Sequence, residues 1–420
     1  MSTASPRSSE LGSERLPGGF DPRRLRQQFP IFANNPDLVF LDSGASAQKP
    51  ASVIDRVADY YRTDYANVHR GVYRLSARST DLFEEARVKA QRFLNAADPN
   101  EIVFVRGATE AINLVAQSWG GAFLEAGDEV VISELEHHSN IVPWQLLRDR
   151  VGIRLVVAPI DATGGLDLAV FATRLSPRTR LVAITHLANA TGALVPIETI
   201  VELAHRAGAR VLVDGCQAAP RLAVDVQALG CDFYAFSGHK TYGPTGIGVL
   251  WGRHELLAAM PPWQGGGEMI LNVTFEKTIF QDPPHRFEAG TPDISGAIGL
   301  GTALDFIEGL GRDNILEHEE ALTGYGVDRL SRIAGLQLVG AGQRRLGILS
   351  FDLEGVHPHD LATVLDRHHV AVRAGHHCAQ PLLDKLGLGA TTRASLGVYN
   401  DERDIDALAD AIESAKEMFR

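Results

Sequence analysis

Residues 231–250 read CDFYAFSGHKTYGPTGIGVL. Apolar runs at 231–236 and 246–251 have strand character, and the glycine-rich turn between them presents Ser237, His239 and Lys240. A lysine in so tight and apolar a setting is costly unless it is used. Such lysines lose a proton readily and act as amine nucleophiles or form imines with carbonyl groups. A surface lysine is the alternative, and the tightness of the turn weighs against it. Polar residues closing an apolar strand also speak to architecture, because ligand sites in open parallel sheets gather outside the carboxyl ends of the strands.

Working outward, five more short apolar runs precede this one: EIVFV at 101–105, DEVVIS at 128–133, IRLVVAP at 153–159, RLVAIT at 180–185 and ARVLVD at 209–214. Helix-period segments separate several of them, for instance TEAINLVAQSW after the strand at 101–105 and IETIVELAHRAG before Gly208. Alternating strands and helices predict an α/β fold around a mostly parallel, seven-stranded sheet. Beyond about 305 the texture changes to a long charged helical pattern, followed by strand GILSFDL, helix HDLATVLDRH, strands VAVRA and TRASLGV, and an amphipathic closing helix. The expected division is a tail over 1–20, a large domain over 21–305 and a smaller α+β domain over 306–420, to which the N-terminal segment also contributes.

The bulk numbers agree. A chain of 420 residues, 45% hydrophobic and 22% charged, exceeds what one core usually organises. A net charge of −12 argues against nucleic acid or an anionic membrane surface as partner. The N-terminal stretch MSTASPRSSELGSERLPGG has no apolar segment of a secretory signal and carries acids that a transit peptide lacks. No apolar run reaches the ~18 residues of a membrane span. Three widely spaced cysteines, Cys216, Cys231 and Cys378, fit neither a disulfide framework nor a cysteine-rich zinc site, and a reducing cytoplasm suits them best.

Three further strand ends carry polar residues that a pure core would not choose. In VRGATEAINL a helix opens directly after a strand, and its free N–H groups can cradle a phosphate, although Thr109 is first of all a good helix cap. In LVDGCQA, Asp214 closes an apolar strand with Gln217 three residues on, so that the acid is either a cap or a charge aimed at a ligand cation. In ISELEHHSNIVPW, His137 and His138 follow a strand, where a structural hydrogen-bonding role is the default. No one of these proves a site. A phosphate-binding helix end, an acid suited to a pyridinium nitrogen, a ring suited to stacking and an imine-forming lysine together specify pyridoxal phosphate (PLP).

The chain resembles the fold-type I PLP enzymes of the class V aminotransferase group, specifically the SUF-type (group II) cysteine desulfurases. The likeness runs from FLDSGASAQKP at 40–50 through NVHRGVY, FVRGATEAINLVA, EHHSNIVPW, ITHLANATG, VDGCQA, SGHKTYGPTGIGVL, PPWQGGGEMI, RFEAGTPD and AVRAGHHCAQPL to RASLGVYN at 393–400. It implies that Lys240 carries the cofactor, Asp214 pairs with the pyridinium nitrogen, His137 stacks on the ring and Gln217 bonds its phenolic oxygen. Thr109, Ser237 and His239 hold the phosphate, and Thr291 reaches the phosphate of the other subunit in a homodimer. Arg393, helped by Asn189, takes the carboxylate of L-cysteine through the bidentate contact that arginine suits, and Arg373 orients either the substrate or the loop beside it. Cys378 takes the sulfur as a persulfide for a sulfur-acceptor protein of iron–sulfur cluster assembly.

Cys216 and Cys231 read as small core residues, although the family usually has alanine where Cys216 stands; Gly44 is a second small departure. Seven residues between His357 and Cys378 are of zinc-binding type, but a strand separates them, so no intrinsic metal is expected. His359 is instead placed by resemblance as a ligand to the zinc of an acceptor scaffold. Selenocysteine lyase or cysteine/cystine C–S lyase is the alternative on the same fold, and a non-catalytic assembly scaffold is the alternative of another class. His376 and His377 stay open between tuning the Cys378 thiol and shaping its turn.

Overall fold

The computed structural model describes residues 20–340, 342 and 344–419. The tail expected at 1–20 therefore lies outside the described residues, apart from Phe20. All seven apolar runs become strands of one sheet: β1 (Ile102–Val105), β2 (Glu129–Ser133), β3 (Arg154–Ala158), β4 (Thr179–Thr185), β5 (Arg210–Asp214), β6 (Phe233–Ser237) and β7 (Gly248–Gly252). Their spatial order is β1-β7-β6-β5-β4-β2-β3. All pairings are parallel except those of β7, which runs antiparallel to both β1 and β6.

The strands read as continuous apolar runs because both faces of the sheet are covered. Val131, Val182, Val211, Val213 and Tyr234 pack into one core cluster with helices Arg74–Phe93, Ile197–Arg206 and Ile294–Leu310. Their neighbours Val130, Leu181, Leu212, Phe233 and Ala235 pack into another with helices Ala108–Leu114 and Val142–Val151. Full burial of each of these Val, Leu and Phe side chains contributes roughly 1.5–3 kcal/mol. A slip of one residue would exchange the two faces of a strand, so packing fixes the register. That register sets Thr185 opposite Asp214 and Asp214 opposite Ala235, aligning the polar strand ends along one edge.

A second sheet is antiparallel, with strands ordered Leu336–Leu338, Ile348–Leu353, Thr391–Ser395 and Arg373–Gly375. Helices Pro358–Arg367 and Glu402–Met418 share its core through Leu361, Leu365, Ile405 and Leu408. The expected strand VAVRA is split. Val370–Ala371 turns away to pair in parallel with Val39–Phe40, bringing the N-terminal segment to this second sheet. Helix Ile294–Leu310 runs through the expected division at 305 and packs in the core of the large sheet. We propose that the division falls instead at Gly311, where a positive φ of 81° separates this helix from Arg312–Leu330. The hairpin Ile270–Val273/Thr278–Phe280, whose side chains are largely exposed, was not foreseen, nor were the short strands Val39–Phe40 and Leu336–Leu338.

Candidate active site

The carboxyl ends of β2, β4, β5 and β6, the helix start at Ala108, the segment at Gly44 and Ala45, and strands Arg373–Gly375 and Thr391–Ser395 with the loop at His377 and Cys378 enclose a cavity of about 270 Å³. Its lining includes His137, Asn189, Asp214, Gln217, Ser237, His239, Lys240, Arg373, Cys378 and Arg393, together with Thr109. Thr291 alone among the expected cofactor and substrate residues lies elsewhere: it is exposed, and it lines a separate cavity with Trp263, Arg106 and Glu110.

At one end of the cavity, Gly107 caps the helix that begins at Ala108, so the capping residue has no side chain to bond that terminus. The capping role favoured for Thr109 is thus corrected: Thr109 is the second residue of the helix, exposed and lining the cavity. Gly107 has φ +153°, and a Cβ there would stand 3.2 Å from Ser237 Oγ, so glycine lets the turn approach the end of β6. Ser237 Oγ accepts the Ala108 N–H at 2.9 Å and meets Cys216 Sγ at 3.6 Å. Burial, reinforced by Asp214, pushes the Cys216 thiol up to about 12, so it stays protonated.

Lys240 closes a 3₁₀ turn directly after β6 and is half-buried rather than enclosed. The carbonyl of His239, which forms the peptide bond to Lys240, accepts from three donors. They are the Ala47 N–H at 3.0 Å, Lys49 Nζ at 3.2 Å and Ser46 Oγ at 3.4 Å. Burial lowers Lys49 to about 8. Asp214 is buried, with Oδ1 accepting the Cys216 N–H at 3.0 Å. His137 Nδ1 accepts the Ser139 N–H at 3.0 Å, which leaves the proton of the neutral ring on Nε2. Burial first and the Lys240 charge second push His137 down to about 4, so the ring is neutral at physiological pH. His239 is lowered to about 4 by the same two causes, with Lys49 adding to them.

The opposite wall carries the arginines. Arg393, only 2% exposed, donates from Nη1 to the Asn189 carbonyl at 3.0 Å and from Nη2 to Asp42 at 3.4 Å. Its Nε is buried without a hydrogen-bond partner among the described residues, as is Asn189 Oδ1. Arg373, half-exposed, pairs with the same Asp42 at 2.9 Å. The thiol of Cys378 is exposed, on a loop whose His377 and Cys378 both have positive φ, +52° and +54°. That strained backbone is pinned from three sides. His138 N–H donates to the Cys378 carbonyl at 2.7 Å, Asn189 Nδ2 to the His377 carbonyl at 2.7 Å, and the His377 ring meets Thr391 Oγ1 at 2.8 Å. Burial holds His377 neutral by pushing it down to about 3, whereas His376 is exposed.

Asp42 and Lys49 were passed over by sequence reasoning, although both lie in the quoted stretch FLDSGASAQKP. The available signal was an acid and a lysine flanking small residues between two apolar segments, with nothing to say what either would meet. His359 is exposed at the start of helix Pro358–Arg367, and its N–H bonds to His357 Nδ1 at 3.2 Å. Cys231 is fully buried in the large core, as expected.

The donor set fits pyridoxal phosphate. A helix start and Ser237 offer donors at one end, Asp214 an acid further in, Lys240 an amine, and the orphaned Arg393 Nε a donor for a substrate carboxylate. Fold and cavity together therefore define a PLP-dependent enzyme of fold type I. The Aminotransferase class-V family profile matches residues 39–408. A probable cysteine desulfurase of Halalkalibacterium halodurans is 50% identical over 94% of this chain and 98% of its own. A probable cysteine desulfurase of Mycobacterium leprae is 50% identical over 97% of this chain; the chain spans 68% of that longer protein's length, and 63% of the Synechococcus elongatus cysteine desulfurase. The crystal structure of the cysteine desulfurase CsdA from Escherichia coli superposes with a TM-score of 0.89 at 40% identity, covering 96% of this chain and all of that one. The chain belongs to the cysteine desulfurases of the class V aminotransferase family.

Proposed function

We propose that the protein is a SUF-type desulfurase that takes the sulfur of L-cysteine as a persulfide on Cys378 and passes it to an acceptor protein for iron–sulfur cluster assembly. The observation that carries this reading is placement: an exposed thiol opens on the same cavity as Lys240, Asp214 and Arg393. Bound PLP supplies an electron sink for the charge that develops on the substrate carbons.

Lys240 holds the cofactor through its amine and, when released, moves the proton at the substrate α-carbon. Asp214 pairs with the ring nitrogen, neutral His137 stacks on the ring, Gln217 donates to the ring oxygen, and Thr109, Ser237 and His239 hold the phosphate. Arg393, with Asn189 and Arg373 beside it, takes the substrate carboxylate. The Cys378 thiolate then attacks the substrate sulfur. An S–S bond forms as the C–S bond breaks, the electron pair of the C–S bond stays with carbon, and a proton there completes alanine. L-Cysteine and the protein thiol thus become L-alanine and a Cys378 persulfide without an outside oxidant.

The test is mass spectrometry after incubation with L-cysteine. One added sulfur is expected on the peptide containing Cys378, while pyruvate and ammonia without it turn the reading to a C–S lyase, whose β-elimination needs no protein thiol. A protein without the visible absorption of bound cofactor would instead be the non-catalytic scaffold.

The same reading includes a homodimer in which Thr291 reaches the partner's cofactor phosphate. Tyr61, Tyr65, Val72, Tyr73 and Phe275 support it, being large apolar residues at least half exposed. It also includes an acceptor of the zinc-scaffold type met by exposed His359, and a reducing cytoplasm suited to three free cysteines. No helix among the described residues is long and apolar enough to cross a membrane. Sedimentation of the protein alone and with a zinc-bearing acceptor checks the first two. A monomer removes Thr291 from the site, and undiminished binding by His359→Ala removes the zinc contact.

A further inference from the structure

Behind the cavity wall lies a buried ion pair that the mechanism above does not use. Arg221 Nε stands 2.8 Å from Glu319 Oε2, with both side chains at most 3% exposed. Glu319 belongs to helix Arg312–Leu330, outside the large sheet, and neither of its carboxylate oxygens has a hydrogen-bond partner among the described residues. The strand start at Gly347 passes directly over the pair. Its φ is +66°, and a Cβ there would lie 2.3 Å from Glu319 Oε2 and 2.5 Å from Arg221 Nε. A buried pair with a poorly solvated carboxylate is a weak source of stability, and apolar residues of the same size often do as well or better. Its retention calls for another role.

That role is legible in what Arg221 holds. Its Nη1 donates both to the Gln217 carbonyl at 2.8 Å and to Gln217 Oε1 at 3.1 Å, and its Nη2 donates to the Leu396 carbonyl at 3.0 Å. At the far end of the same carboxamide, Gln217 Nε2 donates to the Gly44 carbonyl at 2.7 Å. Both partners are unambiguous, one a pure donor and one a pure acceptor, so they fix which end of the amide is nitrogen. A flipped amide would set Nε2 against a guanidinium and Oε1 against a carbonyl. Gln217 lines the cavity, and its Nε2 keeps a second hydrogen beyond the one given to Gly44.

We propose that Arg221 and Glu319 are positioning residues for the cofactor: they lock the Gln217 carboxamide with its nitrogen toward the cavity, and through it favour the ionised ring oxygen of bound PLP. The inference rests on the reading that Gln217 faces that oxygen.

The test follows the visible absorption of the PLP-loaded protein as a function of pH. Gln217→Ala should raise the titration midpoint, because the ionised oxygen loses a donor. Arg221→Met should raise it by on the order of one pH unit, Glu319→Gln by less, and Arg221→Met should add nothing in a Gln217→Ala background. An unmoved midpoint in Gln217→Ala overturns the reading of Gln217 itself. A shift in Gln217→Ala with none in Arg221→Met, or an Arg221→Met shift that persists without Gln217, overturns the positioning role. The paired variant Arg221→Met with Glu319→Leu guards against simple misfolding. It should unfold no earlier than the native protein and still raise the midpoint; a stable paired variant with a native midpoint defeats the proposal.

Discussion

The lysine end of the cavity and the cysteine end are built on opposite principles. Lys240 follows β6, in which all five residues are buried, and the carbonyl before it is gripped by three donors from the segment 46–49. Cys378 sits on an exposed loop in left-handed backbone, held by hydrogen bonds that reach it from His138, Asn189 and Thr391. The first end is rigid because it continues a core. The second is positioned through its main chain while the thiol itself stays accessible, which suits a group that must take sulfur inside the cavity and surrender it outside. The segment 42–49 serves both ends, since Asp42 pairs with Arg373 and Arg393 while Ser46, Ala47 and Lys49 hold the turn of Lys240.

The largest effect that separates the two ends comes from a pair of variants. Cys378→Ala should keep the visible absorption of the cofactor and lose sulfide release from L-cysteine. Lys240→Ala should lose that absorption. Full sulfide and alanine production by Cys378→Ala would erase the distinction, because the thiol would then be dispensable.

A smaller effect is expected where the ends are joined. Asp42→Asn leaves Arg373 and Arg393 without their shared counter-charge, and KM for the substrate should rise on the order of tenfold with less change in kcat. An unchanged KM would mean that the arginines are held by other contacts, chiefly the Asn189 carbonyl.

The smallest concerns the wall of the rigid end. Glu136 is fully buried, and burial pushes its carboxyl up to about 8 despite bonds from Ser133, Asn140 and the Thr185 N–H. A carboxyl raised in the folded state contributes stability that is complete below its unfolded pKa of about 4.5 and is lost as pH rises through about 8. The melting temperature of the native protein should therefore fall between pH 5 and 8 relative to Glu136→Gln, by no more than a few kcal/mol in stability. Parallel curves for the two proteins would show that Glu136 ionises normally.

The seven strands of the large sheet and helices such as Ile197–Arg206 and Glu402–Met418 were legible because apolar runs of the right length, punctuated by glycine and capping residues, leave few alternatives. The helix start was misread for a local reason. Thr109 is a good capping type, but Gly107 could turn more tightly and Ser237 supplied the acceptor for the Ala108 N–H from 129 positions away. VAVRA looked like one strand, but its first half answers to Val39–Phe40 and its second to Thr391–Ser395. His377 could not be assigned from its neighbours, because its ring is committed to Thr391 on the adjoining strand.

Chain pattern alone determined the sheet and the polar residues at its strand ends, which depend on local periodicity and placement, whereas Arg393, Asn189, Arg373 and Cys378 were placed by resemblance to the family. Only tertiary structure decided how those side chains are held. Asp42 meets two arginines more than 300 positions away, three donors from one segment meet the carbonyl before Lys240, and Glu319 fixes Gln217 through Arg221. The physical reason is that a hydrogen bond or ion pair depends on distance and direction to within a few tenths of an ångström. Sequence spacing carries that information within one element and not between elements that only packing brings together.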